Sequence, residues 1–409
     1  MNKNLLYIFT LLFFSCQSLG LNNKKIINHK VWNKGAMVSA ANPYAVKAAI
    51  SILEKGGSAT DAAIAAHLVL GLVEPQSSGL GGGGFMLNYD FKTNGLTFID
   101  GRETAPSSAK IDMFMKDDGT VMSFMEAVPS GKAVGTPGIV ALYETAHKAY
   151  GLLPWSILFE DAINLSKNGF IVSPRLAKYV DFAEKRGRLS KNPLTKKYFY
   201  PNDVKIKSGD LLKNPEYANT LEAIAKEGTI AFYNSNIAKE IVYAVNADPH
   251  PGGMTLEDLK NYNTVLRPVI CGPFRNMKIC TTSPPSSGGA QIMIAGLYDQ
   301  LINNESNELE KISAFVDAQR LAYADRDHFF GDPDEVNIPL EALLDPKYIR
   351  ARAKQRFLPK TIPTPGDPSI VIDTLANFPT WGKDNTVEAA GTTHLSIIDQ
   401  NGNAVSMTA

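Results

Sequence analysis

The sequence predicts a fold that mixes α-helices with β-strands around a large core. With 409 residues and 44% hydrophobic content, the chain can bury such a core in one or two domains. Helical patterns cover residues 42–55 and 58–70, and the second is rich in alanine, so we expect it to pack closely on a sheet or another helix rather than at the surface. Near the other end, residues 395–398 and 404–407 are short apolar runs separated by turn-forming residues, which predicts a β-hairpin.

Charge and composition argue against several classes of function. Lysine plus arginine and aspartate plus glutamate both total 41, so no overall field favours nucleic acid or an anionic membrane surface. The six histidines are scattered, with neither an HExxH motif nor a cluster of cysteine and histidine, and we predict no metal site and no cofactor. Beyond the N-terminus there is no apolar run of about eighteen residues, so no transmembrane helix is predicted.

The N-terminal segment has the pattern of a signal peptide. Lys3 supplies a positive charge, residues 5–14 are apolar, and residues 18–20 place small side chains at alternate positions for cleavage. We therefore predict export to the periplasm or the extracellular space, and exclude residues 1–20 from the fold. Cys16 gives a minor alternative, a lipoprotein anchor, although bulky phenylalanines precede it where leucine and a small residue are usual.

Four consecutive glycines, at residues 81–84, precede a predicted strand at residues 85–89. A phosphate-binding loop would need a lysine followed by serine or threonine after the glycines, and neither follows here. Glycines that enter a buried strand are better explained by the close approach of another backbone segment. We therefore expect tight backbone packing at this position and no nucleotide site.

A second predicted strand, residues 96–99, runs into Asp100 and Gly101, and Arg102 stands at its exit. One interpretation is a surface arginine that pairs with Asp100 or Glu103, because most arginines next to acidic residues form such surface ion pairs. The other is a ligand-binding arginine, because a guanidinium holds a carboxylate through two parallel N–H bonds and stays charged. The local residues alone leave both interpretations open.

The middle of the chain is predicted to be mainly helical. One helix is predicted to start at Thr136 and to end at Tyr150, and others are predicted over residues 214–228 and from about Ser306 to Gly331. None of these segments holds a constellation of side chains that chemistry would need.

The two remaining cysteines lie on a predicted hairpin. A two-residue turn at residues 275–276 would place Phe274 opposite Met277. Counting outward from that pair, Cys271 falls directly opposite Cys280, at a position without ladder hydrogen bonds. This geometry allows a cross-strand disulfide in an exported protein, and two free buried thiols are equally compatible with it.

Chemistry is predicted at Gly391-Thr392, directly before the last hairpin. A glycine carbonyl with no side chain to crowd it, followed by a hydroxyl residue, is a good place for an acyl shift from nitrogen to oxygen. Hydrolysis of the resulting ester would free the α-amine of Thr392, and such a threonine carries nucleophile and base in one residue. The alternative is that Thr392 only opens a strand, where threonine is common.

Several motifs together resemble the γ-glutamyltranspeptidases, a family of N-terminal-nucleophile hydrolases. The resemblance extends over nearly the whole chain after the signal segment, with at least five motifs in the family's order. Its most specific parts are residues 74–87, the motif around Arg102, residues 391–394, Asp399 and residues 402–405.

The resemblance implies roles for individual residues. A precursor of this family cuts itself before the first of the two threonines, so Thr392 would be the catalytic nucleophile and Gly391 the last residue of the large subunit. Residues 21–391 would then form the large-subunit region, and residues 392–409 would begin the small subunit. Arg102 would bind the α-carboxylate of the γ-glutamyl group.

The resemblance also implies a fold and a function. The expected fold is an αββα four-layer sandwich built from a large and a small subunit cut from one precursor. The expected activity transfers γ-glutamyl groups from glutathione and other γ-glutamyl amides to amino acids, peptides or water, through a threonine acyl-enzyme. Residues 283–289 would lie in the core beside the reaction centre, and no cofactor, metal or nucleic acid would take part.

Compared with the family pattern, the chain ends early in the small-subunit region. We expect the 409-residue sequence to be a C-terminally truncated form, with the terminal hairpin left as an unpaired edge. Leu395, Ile397 and Val405 would then lose part of their packing, and the chain as written would neither process efficiently nor act on γ-glutamyl substrates.

Two alternative functions remain. A related acylase of the cephalosporin or glutaryl type would have the same fold and the same processing chemistry. An exported binding or structural protein that kept the fold and lost catalysis would have the same sequence features in this stretch.

Overall fold

The structure is a computed structural model, and it describes residues 35–185, 189–247, 249–355, 357–372 and 391–409. The predicted signal peptide at residues 1–20, including Cys16, lies outside the described residues, so the structure does not bear on it.

The helices occur throughout the described chain. They are α1 (Pro43–Glu54), α2 (Ala59–Val73), α3 (Phe124–Ala127), α4 (Ile139–Tyr150), α5 (Glu160–Asn168), α6 (Pro174–Lys185), α7 (Pro193–Phe199), α8 (Pro215–Glu227), α9 (Ile230–Tyr233), α10 (Asn236–Val245), α11 (Leu256–Lys260), α12 (Gly288–Leu301), α13 (Glu308–Phe329), α14 (Leu340–Leu344) and α15 (Pro346–Ala353). The strands are β1 (Met37–Ser39), β2 (Gly84–Asp90), β3 (Gly95–Gly101), β4 (Phe170–Ile171), β5 (Leu211–Leu212), β6 (Val265–Arg267), β7 (Val269–Phe274), β8 (Met277–Thr282), β9 (His394–Ile398) and β10 (Ala404–Thr408).

One antiparallel sheet of six strands organises the molecule, in the order β1–β9–β10–β2–β3–β6. The terminal hairpin, β9 with β10, lies inside this sheet, between β1 and β2. The expectation of an unpaired edge is therefore wrong for the second strand: Ser406 of β10 lies opposite Ser396 of β9 and also opposite Leu87 of β2. The neighbours that cover the hairpin come from the first hundred residues, far away in sequence.

Helix α2 packs on β9 and β10 and is itself enclosed by other helices. Fourteen of its fifteen residues are buried, which confirms the prediction that the alanine-rich helix has no solvent face. Small side chains let the sheet approach the helix closely, and Leu395, Ile397 and Val405 fill the interface with only 1–3% exposure. The expectation that these three side chains lack packing is therefore wrong. Each buried side chain of this kind contributes about 1.5–3 kcal/mol.

The helix boundaries follow local capping chemistry in two cases and tertiary pairing in a third. Asn42 caps α1 through its side chain, and Ser58 caps α2 in a reciprocal capping box. The predicted start at Thr136 is wrong, because α4 begins at Ile139. Thr136 instead forms an isolated antiparallel bridge with Thr104, donating its N–H to the Thr104 carbonyl at 2.8 Å.

Strands β7 and β8 form a separate two-stranded sheet, the cysteine hairpin, which packs on α12. The register confirms the prediction: the turn occupies residues 275–276, Phe274 lies opposite Met277, and Cys271 lies opposite Cys280. The Cα atoms of the two cysteines are 4.1 Å apart, and their sulfur atoms are bonded. The disulfide that the sequence left open is therefore present in the structure.

Helices α12 to α15 enclose a second hydrophobic core beside the sheet. Its centre includes a buried ion pair, in which Arg352 Nη2 lies 2.8 Å from Asp325 Oδ1 and both side chains have no exposure. Tyr348 donates its hydroxyl proton to the other Asp325 oxygen at 2.8 Å, and the backbone N–H of Gly366 donates to Oδ1 at 2.7 Å. A buried charge pair is tolerated when its remaining hydrogen-bonding groups are satisfied in this way.

The described residues thus contain one layer of helices, including α2 and α4, against one face of the six-stranded sheet. The opposite face is open and carries a shallow apolar groove of about 320 Å³, lined in part by Leu87, Tyr89 and Ile398. In the part of the chain that the structure describes, no helix combines the length and apolarity needed to cross a membrane.

Candidate active site

A large open cleft, of about 1150 Å³, lies between one end of the six-stranded sheet and the second hydrophobic core. We call its two sides the sheet wall and the helical wall. The helical wall contains residues 280–282 at the end of β8 and residues 285–288 at the start of α12. It also contains residues 326–327 near the end of α13 and residues 330–332 directly after that helix. The sheet wall contains Phe85, Leu87, Arg102, Thr392, His394, Ser406, Thr408 and Ala409.

A second cleft, of about 440 Å³, reaches the same point from another direction. It is lined by the glycine-rich segment before β2 together with Glu103 and Gly391, and it shares Arg102, Thr392 and Ala409 with the large cleft. The structure therefore brings together Gly391, Thr392 and Arg102, the three residues singled out from the sequence. Arg102 and Thr392 are 290 positions apart in the chain, so only the fold explains their proximity.

Thr392 is placed by an extension of the terminal hairpin. Thr393 donates its backbone N–H to the Ala409 carbonyl at 2.8 Å, and Ala409 donates back to the Thr393 carbonyl at 3.1 Å. Successive side chains of an extended strand point to opposite faces. The Thr393 side chain is accordingly buried with 4% exposure, whereas Thr392 and His394 are exposed and line the cleft. Of the two threonines, only the first has a hydroxyl in the cleft.

The glycine-rich segment before β2 passes very close to two other backbone segments of the site, one at Glu103 and one at Thr408. A Cβ atom on Gly83 would lie 2.6 Å from the backbone nitrogen of Glu103, and one on Gly84 would lie 2.8 Å from the carbonyl oxygen of Thr408. Real Cβ atoms do not approach backbone atoms so closely, so these positions need glycine. This confirms the predicted reason for the glycines, which is close backbone approach at the entry of a strand.

Arg102 has a fixed backbone and an accessible side chain. Its N–H donates to Asp100 Oδ1 at 2.9 Å, and its carbonyl accepts a hydrogen bond from the Tyr262 hydroxyl at 2.7 Å. The side chain is 62% exposed, with Nε 3.2 Å from Glu103 Oε2 and the guanidinium carbon 6.0 Å from the centre of the Phe85 ring. The pairing with Glu103 that the sequence allowed is present, and it leaves much of the guanidinium open to the clefts.

His394 is a cleft residue to which the sequence assigned no role. Its Nδ1 lies 2.7 Å from the Thr408 hydroxyl oxygen, and its Nε2 lies 3.2 Å from the Ser396 hydroxyl oxygen and 3.4 Å from that of Ser406. Partial burial lowers the pKa of His394 below its usual value, so the neutral ring is favoured near neutral pH. The two-residue periodicity from Thr392 through His394 to Ser396 is the signal that could have identified this polar row.

The serines at the start of α12 do not both act as helix caps. Ser287 occupies the capping position without a capping hydrogen bond from its side chain. Ser286 accepts a hydrogen bond from the backbone N–H of Gly288 at 3.1 Å, and its hydroxyl lies 2.6 Å from that of Thr282. Both serines line the large cleft together with Thr392, and the family resemblance implies such a central position for residues 283–289.

The charged side chains on the cleft differ between its walls. Arg102 provides a cation on the sheet wall, while Asp332 and an ion pair between Arg326 and Asp327 lie on the helical wall. The Arg326 Nη1 atom donates to Asp327 Oδ1 at 3.0 Å. Within the described residues, no group of three or more histidine, cysteine, aspartate or glutamate side chains is arranged to hold a metal ion.

Comparison with known proteins places the chain in a family. The family model described as Gamma-glutamyltranspeptidase matches residues 45–409. The chain therefore belongs to the γ-glutamyltranspeptidase family, as the sequence motifs predict.

One similar relative is the glutathione hydrolase proenzyme of Bacillus subtilis strain 168, which is 37% identical over 381 residues. The match covers 92% of this chain and 64% of the relative, so the chain spans just under two thirds of that protein's length.

Solved structures confirm the predicted fold class, that of the N-terminal-nucleophile hydrolases. The γ-glutamyltranspeptidase of Helicobacter pylori superposes with a TM-score of 0.72 at 32% identity, over 80% of this chain and 92% of that chain. A cephalosporin acylase from Bacillus halodurans superposes with a TM-score of 0.76 at 25% identity, over 91% of this chain and 65% of that chain.

Proposed function

We propose that the protein cuts its own chain between Gly391 and Thr392 and then uses Thr392 to transfer γ-glutamyl groups. The observation that supports this most directly is the shared position of Arg102 and Thr392 on two adjoining clefts. A nucleophile and a carboxylate-binding cation at one place are what an enzyme acting on the γ-amide of glutamate requires. Family membership and the name of the Bacillus subtilis relative support the same activity.

Self-cleavage uses only atoms of the junction and water. The Thr392 hydroxyl oxygen adds to the Gly391 carbonyl carbon, and the bond from that carbon to the Thr392 nitrogen breaks as the nitrogen gains a proton. Water then hydrolyses the ester, leaving a carboxylate on Gly391 and a free amine and hydroxyl on Thr392. The free amine can accept the proton of the neighbouring hydroxyl, which activates the weak nucleophile.

Group transfer proceeds through an ester on Thr392. Its hydroxyl oxygen attacks the γ-carbonyl carbon of glutathione or another γ-glutamyl amide, and the leaving amine departs with a proton. Water or the amino group of an amino acid or peptide then attacks the ester and releases the γ-glutamyl group. Arg102 binds the α-carboxylate of the donor through paired N–H bonds, which holds the γ-carbonyl at the nucleophile.

The first test is the identity of the new N-terminus. The full-length protein, purified from an export-competent host, should run as two polypeptides, the smaller of which begins at Thr392. Thr392→Ala should give only the uncut chain, whereas Thr393→Ser, the matched control at the adjacent buried threonine, should still be cut before residue 392. A small subunit that starts elsewhere would disprove the assignment of Thr392.

The second test concerns Arg102. Arg102→Lys should raise KM for a γ-glutamyl anilide because lysine cannot reproduce the two-pronged contact, and kcat/KM should fall about 30- to 1000-fold. Processing should continue, because cleavage depends on the junction itself. An unchanged KM would return Arg102 to the role of a surface arginine paired with Glu103.

A second candidate function is that of a cephalosporin- or glutaryl-type acylase, favoured by the likeness to the Bacillus halodurans acylase. The two functions differ in one substrate group, because a glutaryl amide is a γ-glutamyl amide without the α-amine. Release of the same aniline from a γ-glutamyl and a glutaryl anilide therefore separates them. Preference for the γ-glutamyl compound supports the transferase, and preference for the glutaryl compound supports the acylase. Failure to release either would favour an exported protein without catalysis.

We assign residues 1–20 to a signal peptide, residues 21–391 to the large subunit and residues 392–409 to the start of the small subunit. The support is the charged, apolar and small-residue pattern of the N-terminus and the position of the Gly391-Thr392 junction. A disulfide between Cys271 and Cys280 also suits an oxidising compartment such as the periplasm. Cell fractionation, with N-terminal sequencing of the large subunit, tests the export and the cleavage position.

A further inference from the structure

Arg267 is a largely buried arginine that lies outside both clefts. It is the last residue of the edge strand β6, where it pairs with Phe98 of β3, and its side chain is only 10% exposed. Its Nε donates to Asp100 Oδ2 at 2.5 Å. Its two terminal nitrogens donate to the two oxygens of Asp334, at 3.0 and 2.6 Å. One guanidinium therefore bridges two carboxylates that are far apart in the sequence.

The first carboxylate leads to the sheet wall. Asp100 is buried, with 4% exposure, and while Oδ2 accepts from Arg267, Oδ1 accepts the backbone N–H of Arg102 at 2.9 Å. A buried carboxylate is stable only when it is paired and hydrogen-bonded. The orientation of Asp100 therefore depends on Arg267. Because Asp100 also holds the backbone N–H of Arg102, the position of the Arg102 side chain depends on Arg267 as well.

The second carboxylate leads to the helical wall. Asp334 lies in the loop after α13, in which Gly331, Asp332 and Val336 line the large cleft. The backbone N–H of Asp334 donates to Asp332 Oδ1 at 3.0 Å, so the bound aspartate also orients the cleft aspartate. The Asp334 side chain itself is 59% exposed, and its hydrogen bonds to Arg267 lower its pKa. Arg267 thus fastens the loop of the helical wall to the sheet.

We propose that Arg267 is a positioning residue for donor binding. It acts through Asp100 on Arg102, and Asp334, which belongs to the 331–336 loop, holds the Arg267 guanidinium in place for this role. This inference rests on the proposed function, since it takes Arg102 to be the group that binds the donor α-carboxylate. A binding site gains affinity when its groups are held in place before the ligand arrives, because less ordering is needed on binding. The chain of contacts from Asp334 to Arg102 fixes both walls relative to each other in this way.

The chemistry of the bridge requires arginine. Five N–H groups in one plane can serve two carboxylates from different directions, which a lysine ammonium on a flexible stem cannot reproduce. The outer contact can be removed without opening the core, because Asp334 is 59% exposed and the Arg267 guanidinium keeps its hydrogen bond to Asp100. Asp334→Asn therefore separates the positioning role from a general structural role.

The experiment measures KM and kcat for a γ-glutamyl anilide in the processed, full-length protein. Asp334→Asn should raise KM roughly 3- to 10-fold, and Arg267→Lys should raise it roughly 10- to 100-fold. In both variants kcat should change less than about twofold. The melting temperature of Asp334→Asn should stay close to that of the parent protein. Asp203→Asn is the matched control, since Asp203 forms an exposed ion pair with Lys196 at 2.9 Å, away from the clefts. It should leave KM unchanged.

A double-mutant cycle tests whether the effect passes through Arg102. If it does, Arg102→Lys combined with Asp334→Asn should have nearly the KM of Arg102→Lys alone, whereas independent effects would multiply. Two outcomes would overturn this inference and leave the proposed function intact. One is that the KM effects of Arg102→Lys and Asp334→Asn multiply in the double variant. The other is that KM is unchanged in Asp334→Asn and Arg267→Lys although Arg102→Lys is impaired. An unchanged KM in Arg102→Lys itself would overturn the carboxylate-binding role and this inference with it.

Discussion

The terminal hairpin and the cysteine hairpin are both short antiparallel pairs, yet they are stabilised in different ways. The terminal hairpin has a five-residue connection and no covalent link, and it is buried between β1 and β2 with α2 on one face. The cysteine hairpin has a two-residue turn and a disulfide, and it forms a sheet of its own. The first depends on contacts that are distant in sequence, and the second depends mainly on local ones.

The turn of the terminal hairpin shows how far this dependence extends. Asp399 is 1% exposed, and its Oδ1 accepts the backbone N–H groups of Asn401 at 2.8 Å and Asn403 at 3.1 Å. Its Oδ2 accepts the backbone N–H of Ala59, the first residue of α2, at 3.2 Å. A carboxylate at the N-terminus of a helix is favourable because the helix dipole is positive there. The turn that follows the candidate nucleophile is thereby tied to a helix 340 residues earlier.

This difference has a consequence for the site. Thr392 lies directly before the hairpin that the whole fold holds in place, which suits its proposed role as a nucleophile acting beside Arg102. The cysteine hairpin contributes Cys280 and residues 281–282 to the helical wall, where a locally stabilised element is sufficient. Disruption of distant contacts should therefore affect the terminal hairpin, and disruption of local contacts should affect the cysteine hairpin.

The largest effect is expected for Asp399→Ala. This change leaves three backbone N–H groups and the Asn403 side-chain amide without their acceptor, and the buried groups lose charge-assisted hydrogen bonds. We expect the free energy of unfolding to fall by about 3–5 kcal/mol, measured by urea denaturation. Processing at Gly391-Thr392 should slow as well, because the hairpin that presents Thr392 loses its anchor on α2.

Asp90→Ala is the matched control for this prediction. Asp90 also accepts two backbone N–H groups in a hairpin turn, those of Lys92 at 2.8 Å and Thr93 at 3.3 Å, but these bonds are exposed to solvent. Its loss should leave the denaturation midpoint nearly unchanged. If the two substitutions were equally harmful, the contact of Asp399 with α2 would not be what distinguishes the terminal hairpin.

The extent to which the sequence predicted the structure follows the same division. Local signals identified both hairpins, the cysteine register and the helices α1 and α2, because each depends on neighbouring residues. The sequence could not show that β10 pairs with β2, and the expectation of an unpaired edge failed for that reason. The start of α4 was misplaced because Thr136 pairs with Thr104, a contact that no capping pattern reveals.

The site shows a similar limit. Thr392 and Arg102 were predicted as site residues because their local motifs resemble those of a family, and both line the same two clefts in the structure. Arg267 and Asp334 drew no attention, since neither lies in a motif with chemistry and their contact spans 67 positions. Residues that act by holding others in place have no sequence signature beyond their ability to carry charge.

The second-largest effect is a loss of folding stability at acid pH, caused by a histidine of α2, the helix that packs on the terminal hairpin. His67 of α2 is completely buried, its Nδ1 is hydrogen-bonded with the Tyr143 hydroxyl, and burial lowers its pKa from 6.5 to about 4. Below about pH 6.5 the unfolded chain therefore binds a proton that the folded chain does not. Stability should fall as the pH drops from about 6.5 to 4, by roughly 3 kcal/mol in total from this residue.

The measurement is the free energy of unfolding at several pH values between 7 and about 4. His67→Asn, which keeps a polar atom near the position of Nδ1, should flatten the dependence although it lowers stability at pH 7. His250→Asn, at an exposed histidine, should leave the slope as it is. A slope that His67→Asn does not change would mean that other groups cause the acid sensitivity.

The smallest effect is expected for loss of the disulfide in the cysteine hairpin. The bond closes a loop of only about ten residues, so its removal by Cys271→Ser with Cys280→Ser should cost about 2 kcal/mol, mainly as local opening. Hydrogen exchange should accelerate in β7 and β8 and remain unchanged in β9 and β10, because the terminal hairpin takes its support from β2 and α2. A reducing agent should reproduce this pattern in the parent protein and have no effect on the double variant. Equal acceleration in both hairpins would show that the cysteine hairpin, too, is part of the cooperative core, and that the contrast between local and long-range stabilisation does not hold.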